Sequence, residues 1–175
     1  MNAQQNQHNN GNGETMVMSA AMTLSSAGFQ NEAAIPRRFS CQGDNISPAL
    51  SWTDIPQGTQ SFALVCEDPD APGGTFIHWV IWNIPATEKG LAEHIPTSDS
   101  LPNGVRQGIN SGKKIGYMGP CPPAGNAHRY YFRLYALDTK LDLSGEVTRD
   151  KLISAVHDHV LGEGEIMGTY QVIKN

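Results

Sequence analysis

The chain has 175 residues and a formal net charge of −5, which is long enough for one domain with its own apolar core. Its lysines and arginines form no cluster of the kind that nucleic acid or an anionic membrane surface requires. No apolar run approaches the ~20 residues of a membrane-spanning helix, and no secretory signal pattern opens the chain. We therefore expect a cytoplasmic protein with no membrane span and no nucleic-acid partner.

The first part of the chain differs in composition from the rest. Residues 1–13 are rich in asparagine, glutamine and glycine and lack apolar periodicity, which is typical of disorder. We predict a disordered leader over residues 1–20 and one domain over residues 21–175. Within the domain, short apolar runs alternate with turn residues about every ten residues, which predicts an all-β sandwich with a minor helical part.

The apolar runs define the predicted strands. They cover residues 22–24, 49–52, 61–67, 76–84, 130–136 and 168–173. Alternate residues of a strand share one face of the sheet. Phe62, Leu64 and Cys66 therefore form one apolar row.

Polar side chains stand at the ends of three of these rows. The row on the strand at 61–67 continues to Asp68, and His78 heads a row that would run through Val80 and Trp82. His128 comes just before the strand at 130–136, in the same phase as its apolar row. If these strand ends converge, they form a polar pocket at one end of the sandwich.

The three cysteines are Cys41, Cys66 and Cys121. They form neither an even set nor a closely spaced pair, so free thiols in a reducing compartment are the simplest interpretation. A bridge between Cys41 and Cys66 remains an alternative.

One helix is predicted near the C-terminus. Thr148 is a good N-cap, Asp150 lies in the first turn, and Gly162 is the stop signal. The apolar stripe between them predicts a helix that packs on the sandwich. His157 and His159 would point to different faces of this helix, and we interpret both as structural or solvent-facing.

A loop rich in glycine and proline precedes His128. In the stretch GYMGPCPPAG, Gly119 allows close approach of the backbone, whereas Pro120 and its neighbours stiffen the loop. Exposed backbone N–H groups and two histidines suit an anion such as a phosphate ester. Because imidazole titrates near pH ~6.5, phosphate affinity is expected to rise as the pH falls.

Taken together, these motifs resemble the phosphatidylethanolamine-binding protein family, also called Raf kinase inhibitor protein-like. The resemblance rests on DPDAP at residues 68–72, His78 opening a strand, GPCPP at residues 119–123, and HRY at residues 128–130. It covers about residues 20–173, and the GPCPP form is similar to the bacterial and archaeal branch. It implies two antiparallel sheets with Greek-key connections and a small pocket for phosphate-like anions.

The resemblance also implies which residues form the pocket. By their positions in the motifs these are Asp68, Asp70, Pro72, His78, Gly119, Pro120, His128 and Tyr130. We expect the histidines to donate to the anion together with loop backbone near Gly119. The aspartates would hold the loops and the imidazoles, the prolines would stiffen the walls, and Tyr130 would lie at the floor.

These residues favour a binding protein and not an enzyme, with no cofactor and no metal. Its ligand would be phosphate or a phosphorylated head group, and a protein kinase or phosphoprotein is a further possible partner. Two alternatives remain, a metal-dependent hydrolase built on the Asp and His cluster and an interaction module that reads a phosphorylated side chain. Exposed edge strands also make a homodimer plausible.

Overall fold

The computed structural model describes residues 19–175, and within them it contains nine strands, one α-helix and two short 3₁₀ helices. The strands are β1 (Ala20–Ala21), β2 (Thr23–Ser25), β3 (Leu50–Thr53), β4 (Ser61–Asp68), β5 (Phe76–Pro85), β6 (Gly90–Leu91), β7 (Arg106–Gln107), β8 (His128–Leu137) and β9 (Val160–Tyr170). The α-helix is α1 (Arg149–Val156), and the 3₁₀ helices are Arg37–Phe39 and Pro102–Gly104. Most of the predicted leader lies outside the described residues, but Ala20 is already paired in β1.

The strands form two sheets, as predicted for this all-β fold with one helix. The six-stranded sheet has the order β1-β9-β8-β4-β5-β7, and the three-stranded sheet has the order β2-β3-β6. The expectation that every pair is antiparallel is wrong in one place, because β1 runs parallel to β9. The Greek-key description of the connections stays a prediction.

An apolar core lies between the two sheets. Trp52 of the small sheet packs against Phe62 of the large sheet, with 5.1 Å between ring centroids. The predicted inward rows of β4 and β8 both lie in this core, which confirms the phase of those two strands. On the opposite face of the large sheet, Leu152 and Val156 of α1 cover a second apolar cluster, so the helix packs on the sheet as expected.

The face pattern predicted for β5 is wrong, because this strand contains two bulges. Cys66 pairs with Trp79 and Glu67 pairs with Ile77, so His78 is an extra residue on β5. A bulge changes the face to which the following side chains point. Val80 and Trp82 therefore lie in the cluster under α1, whereas His78 stays on the side of the core between the sheets.

A second irregularity in β5 lies nearer its end. Phe62 pairs with Ile84 and Leu64 pairs with Ile81, so β5 has one extra residue there as well. Asn83, with a φ of 56°, stands in this interval. The bulge returns Ile84 to the core between the sheets.

The end of the predicted helix and the start of the last strand are also wrong. Helix α1 ends at Val156, and β9 begins at Val160 and not at residue 168. Gly162, Gly164 and Gly168 fall on the inward face of β9, where they weaken the apolar alternation by which a strand is recognised. Gly168 has no room for a side chain, since a Cβ at this position would lie 2.4 Å from Ile35.

The cysteines differ from the prediction. Cys41 forms a disulfide with Cys121, and Cys66 is the free, buried cysteine. Cys66 is buried in the core on β4. The backbone of the loop that carries Cys41 already lies against the partner loop, because Cys41 N donates to the Pro120 carbonyl at 3.1 Å. Because two of the three cysteines form a disulfide, they do not support a reducing compartment. The cytoplasmic location stays a prediction.

Among residues 19–175, no helix has the length and apolar character needed to cross a bilayer.

Removing the disulfide is expected to destabilise the fold. Cys41 and Cys121 are separated by 80 residues in sequence, and a bridge that closes a long loop typically contributes about 2–4 kcal/mol. The double variant Cys41→Ser/Cys121→Ser should lose a free energy of unfolding of this size in urea titrations. Reductant should lower the stability of the wild type to that of the variant and leave the variant unchanged. A variant as stable as the oxidised wild type would contradict the assignment.

Candidate anion-binding pocket

A cavity of ≈ 250 Å³ opens where the end of β4, the start of β5 and the start of β8 meet the loop at residues 116–123. Because β4 is antiparallel to both neighbours, its last residues lie beside the first residues of β5 and β8. The cavity is lined by Asp68, Ala71, Pro72, Phe76, His78, Met118, Cys121, Pro122, Pro123, His128 and Tyr130. The structure therefore brings together five of the eight predicted site residues.

Asp68 is buried and uses both of its carboxylate oxygens within the protein. Oδ1 accepts a hydrogen bond from the backbone N–H of Asp70 at 2.8 Å. Oδ2 lies 2.7 Å from Nδ1 of His128, which is also buried. The first contact closes the turn after β4, and the second orients an imidazole from the neighbouring strand.

The hydrogen bond to Asp68 determines the tautomer of His128. An ionised carboxylate can only accept, so Nδ1 of His128 carries a proton. Nε2 of the same ring has no protein hydrogen-bond partner within residues 19–175. When protonated, His128 forms an ion pair with Asp68 and offers Nε2–H to the cavity.

His78 is held in a similar way by the loop. Its Nδ1 lies 2.6 Å from the carbonyl oxygen of Met118, and a carbonyl oxygen can only accept, so this nitrogen is a donor. Burial lowers the pKa of His78, and the Met118 carbonyl and the Asp68 carboxylate oppose that effect only in part. The neutral ring with a free Nε2 is therefore the favoured form.

Aromatic and apolar side chains complete the cavity. Tyr130 packs edge-on against His78 at 5.2 Å between ring centroids, and Phe76 lies 4.8 Å from the same imidazole. The Tyr130 hydroxyl is buried near the Asp68 carboxylate. Burial and the nearby Asp68 carboxylate raise the pKa of Tyr130, so it stays a neutral hydroxyl.

Six lining residues were not among the predicted site residues, namely Ala71, Phe76, Met118, Cys121, Pro122 and Pro123. Phe76 pairs with Asp68 across β4 and β5, and its position two residues before His78 was a signal that it shares the same face. Met118 carried no such signal, because it lies in a loop whose path is set by tertiary contacts.

The other three predicted site residues lie outside the cavity wall. Asp70 forms a bidentate ion pair with Arg129, with contacts of 2.8 and 2.9 Å. This hydrogen bonding lowers the pKa of Asp70 to about 2. The pair fastens the turn after β4 to β8, so Asp70 supports the pocket from outside.

Gly119 and Pro120 lie behind the wall. The N–H of Gly119 donates to Oδ1 of Asn45 at 2.8 Å, so the backbone donor predicted at this position is already used within the protein. A Cβ on Gly119 would lie 2.1 Å from the carbonyl oxygen of Phe39. Gly119 thus allows two loops to touch, and Asn45, which sequence reasoning did not select, holds the contact.

A larger depression of ≈ 650 Å³ lies between α1 and the start of β9. It contains His157 and His159, which are exposed side chains bonded to Asp158 and Asp138. This agrees with the prediction that both histidines are structural or solvent-facing. The smaller cavity combines buried ionisable groups with apolar walls, which is the chemistry of a binding site.

The chain is similar in sequence to the members of one protein family. The family model described as phosphatidylethanolamine-binding protein matches residues 25–171. A UPF0098 protein of Methanothermobacter thermautotrophicus is 48% identical over 150 residues, which cover 86% of this chain and 99% of the relative. A UPF0098 protein of Aquifex aeolicus is 40% identical over 154 residues, which cover 87% of this chain and 90% of the relative.

Solved structures agree with the sequence matches. A phosphatidylethanolamine-binding protein homologue of Chlamydia trachomatis superposes with a TM-score of 0.79 at 40% identity, covering 88% of this chain and 99% of that chain. Escherichia coli YbcL, described as a new member of the mammalian family, superposes with a TM-score of 0.81 at 32% identity, covering 87% and 99%. The motifs, the fold and these relatives together establish that the chain belongs to the phosphatidylethanolamine-binding protein family.

Proposed function

We propose that the protein is a non-enzymatic binding protein whose cavity takes phosphate or the phosphate group of an ester. The observation that carries this proposal is the buried Asp68–His128 pair, with Nδ1 and Oδ2 2.7 Å apart, beside His78 at the end of a small cavity. The pair keeps one imidazole oriented toward the cavity. An oxyanion there would accept a charge-assisted hydrogen bond from His128.

The walls strengthen this interaction. Phe76, Met118 and Pro122 give the cavity apolar walls, and electrostatic attraction grows as the local dielectric constant falls. The Tyr130 hydroxyl, buried near the Asp68 carboxylate, is a further donor close to the same space. The ligand is therefore expected to be an anion with a small or apolar substituent.

Among residues 19–175, the cavity has no carboxylate without a protein partner for a cationic part of the ligand. Both oxygens of Asp68 are bonded within the protein, and Asp70 is paired with Arg129 outside the wall. A phosphorylated head group such as phosphoethanolamine would therefore be recognised through its phosphate and not through its ammonium group. The same chemistry fits a phosphorylated side chain, so modulation of a kinase or phosphoprotein belongs to this proposal as its protein-directed form.

The metal-dependent hydrolase has less support. Such a site needs at least three ligands on one metal ion, and residues 19–175 bring no three His, Cys, Asp or Glu side chains into that arrangement. Cys121 is bonded to Cys41, so it offers no thiolate nucleophile at the cavity.

The homodimer stays a prediction.

Replacing His128 should weaken phosphate binding and leave the domain folded. Loss of one charge-assisted hydrogen bond, which contributes about 1.5–3 kcal/mol, corresponds to at least about a tenfold lower affinity for His128→Ala. Isothermal titration calorimetry with inorganic phosphate measures the change, and near-ultraviolet circular dichroism reports the fold. His159→Ala is the matched control, because His159 also pairs with an aspartate at 2.7 Å but lies on the surface. Equal loss in both variants would contradict the assignment of the site.

The absence of a free carboxylate leads to a second expectation. Phosphoethanolamine and ethyl phosphate share a phosphate monoester and differ in the ammonium group. We expect them to bind with the same affinity, because Asp68 and Asp70 are engaged by His128 and Arg129. Competition titrations at one pH and ionic strength measure the ratio. A clear preference for phosphoethanolamine would mean that a carboxylate leaves its protein partner to bind the ammonium group.

A further inference from the structure

We propose that the pocket selects oxyanions that carry a proton, so that it binds the monoanion of a phosphate monoester and rejects a sulfate ester of the same shape and charge. The inference rests on the proposed function, since it concerns the form of the ligand in the same cavity. It follows from the hydrogen bonds that fix the two imidazole rings.

His78 is held by the backbone of the loop. The Met118 carbonyl lies 2.6 Å from Nδ1 and keeps the proton on that nitrogen. A neutral ring has only one N–H, so Nε2 of His78 presents a lone pair. This atom can accept a hydrogen bond from a ligand hydroxyl, and it repels an oxygen that has no proton.

His128 is held by the carboxylate of Asp68. Its Nδ1 proton is likewise fixed, in this case by Oδ2 of Asp68 at 2.7 Å. A second proton on this ring forms the Asp68–His128 ion pair and makes Nε2 a donor. The cavity then presents one donor from His128 and one acceptor from His78.

A ligand that satisfies both nitrogens must accept one hydrogen bond and donate another. The monoanion of a phosphate monoester does so, because it has unprotonated oxygens and one P–OH group. A sulfate ester has the same charge and tetrahedral shape but no proton. A site built to receive a hydroxyl proton strongly rejects the analogue that lacks it, because a buried acceptor is then left unpaired.

Burial outweighs the polar groups that face His78 and favours its neutral form. Asp68 approaches from β4, His128 and Tyr130 approach from β8, and the loop contributes the Met118 and Gly119 carbonyls. Desolvation lowers the pKa of His78 more than the carboxylate and the carbonyls raise it, and the neighbouring His128 adds to the lowering. The Asp70–Arg129 pair lies outside the cavity wall.

The test compares ethyl phosphate with ethyl sulfate on the wild-type protein. The second pKa of a phosphate monoester is about 6, so at pH 5.5 much of the ethyl phosphate is a protonated monoanion. We expect it to bind at least about tenfold more tightly than ethyl sulfate under these conditions. Raising the pH to 7.5 removes the ligand proton, so the affinity for ethyl phosphate should fall, whereas ethyl sulfate should bind weakly throughout.

A variant adds an independent measurement. His78→Gln replaces the imidazole with an amide that can turn a donor toward the ligand, so the preference for ethyl phosphate should shrink toward equality. His159→Gln, on the surface, should keep the preference of the wild type. If His78→Gln does not fold, the wild-type comparison still decides the matter.

The outcomes separate the two proposals. Equal binding of ethyl phosphate and ethyl sulfate by the wild type would overturn proton selection and leave anion binding in place. Ethyl sulfate affinity that rises to match ethyl phosphate at low pH would also overturn it, because charged His78 would then be the cause. If neither ester binds, the proposed function fails and this inference fails with it.

Discussion

The antiparallel register of β5, β4 and β8 is the constraint on which the pocket depends. It brings the last residue of β4 beside the first residues of the other two strands. Asp68, His78 and His128 are far apart in sequence, yet each needs only its own strand to reach the same end of the sheet. A register slip of one residue would turn Asp68 to the other face and separate it from His128. The apolar core beneath these strands therefore also determines the geometry of the site.

Burial of Asp68 and His128 requires a reason other than stability. Desolvation of a buried ion pair commonly cancels its Coulombic gain, so two apolar residues could fill the same space without loss. What the pair provides is orientation: the carboxylate uses one oxygen for the turn after β4 and the other for the imidazole. Both oxygens are engaged by donors of the protein, which offsets part of their repulsion of an anion. A carboxylate in an anion site, which looks unfavourable in the sequence, is thus a fixed part of the framework.

Much of the fold and part of the site could be predicted from the sequence, and the failures have physical causes. The rows of β4 and β8 follow regular alternation, and Thr148 caps its helix as its residue type suggests. The β5 bulges break the alternation without a local signal, because they arise from pairing with β4. The glycines of β9 and the disulfide reflect close contact between distant segments. Periodicity within one strand carries no information about such contacts.

The same limit explains why the motifs point to residues that line the cavity but carry no information on their protonation. The sequence places His78 at a strand start, whereas the tautomer depends on the carbonyl of Met118, forty residues later in the chain. That carbonyl is held in turn by a loop that Asn45 and the Cys41–Cys121 disulfide fasten to the segment after the first 3₁₀ helix. The conformation of a covalently restrained loop thus fixes which nitrogen of His78 carries the proton, and under the proposed function it would set which form of an oxyanion the cavity holds.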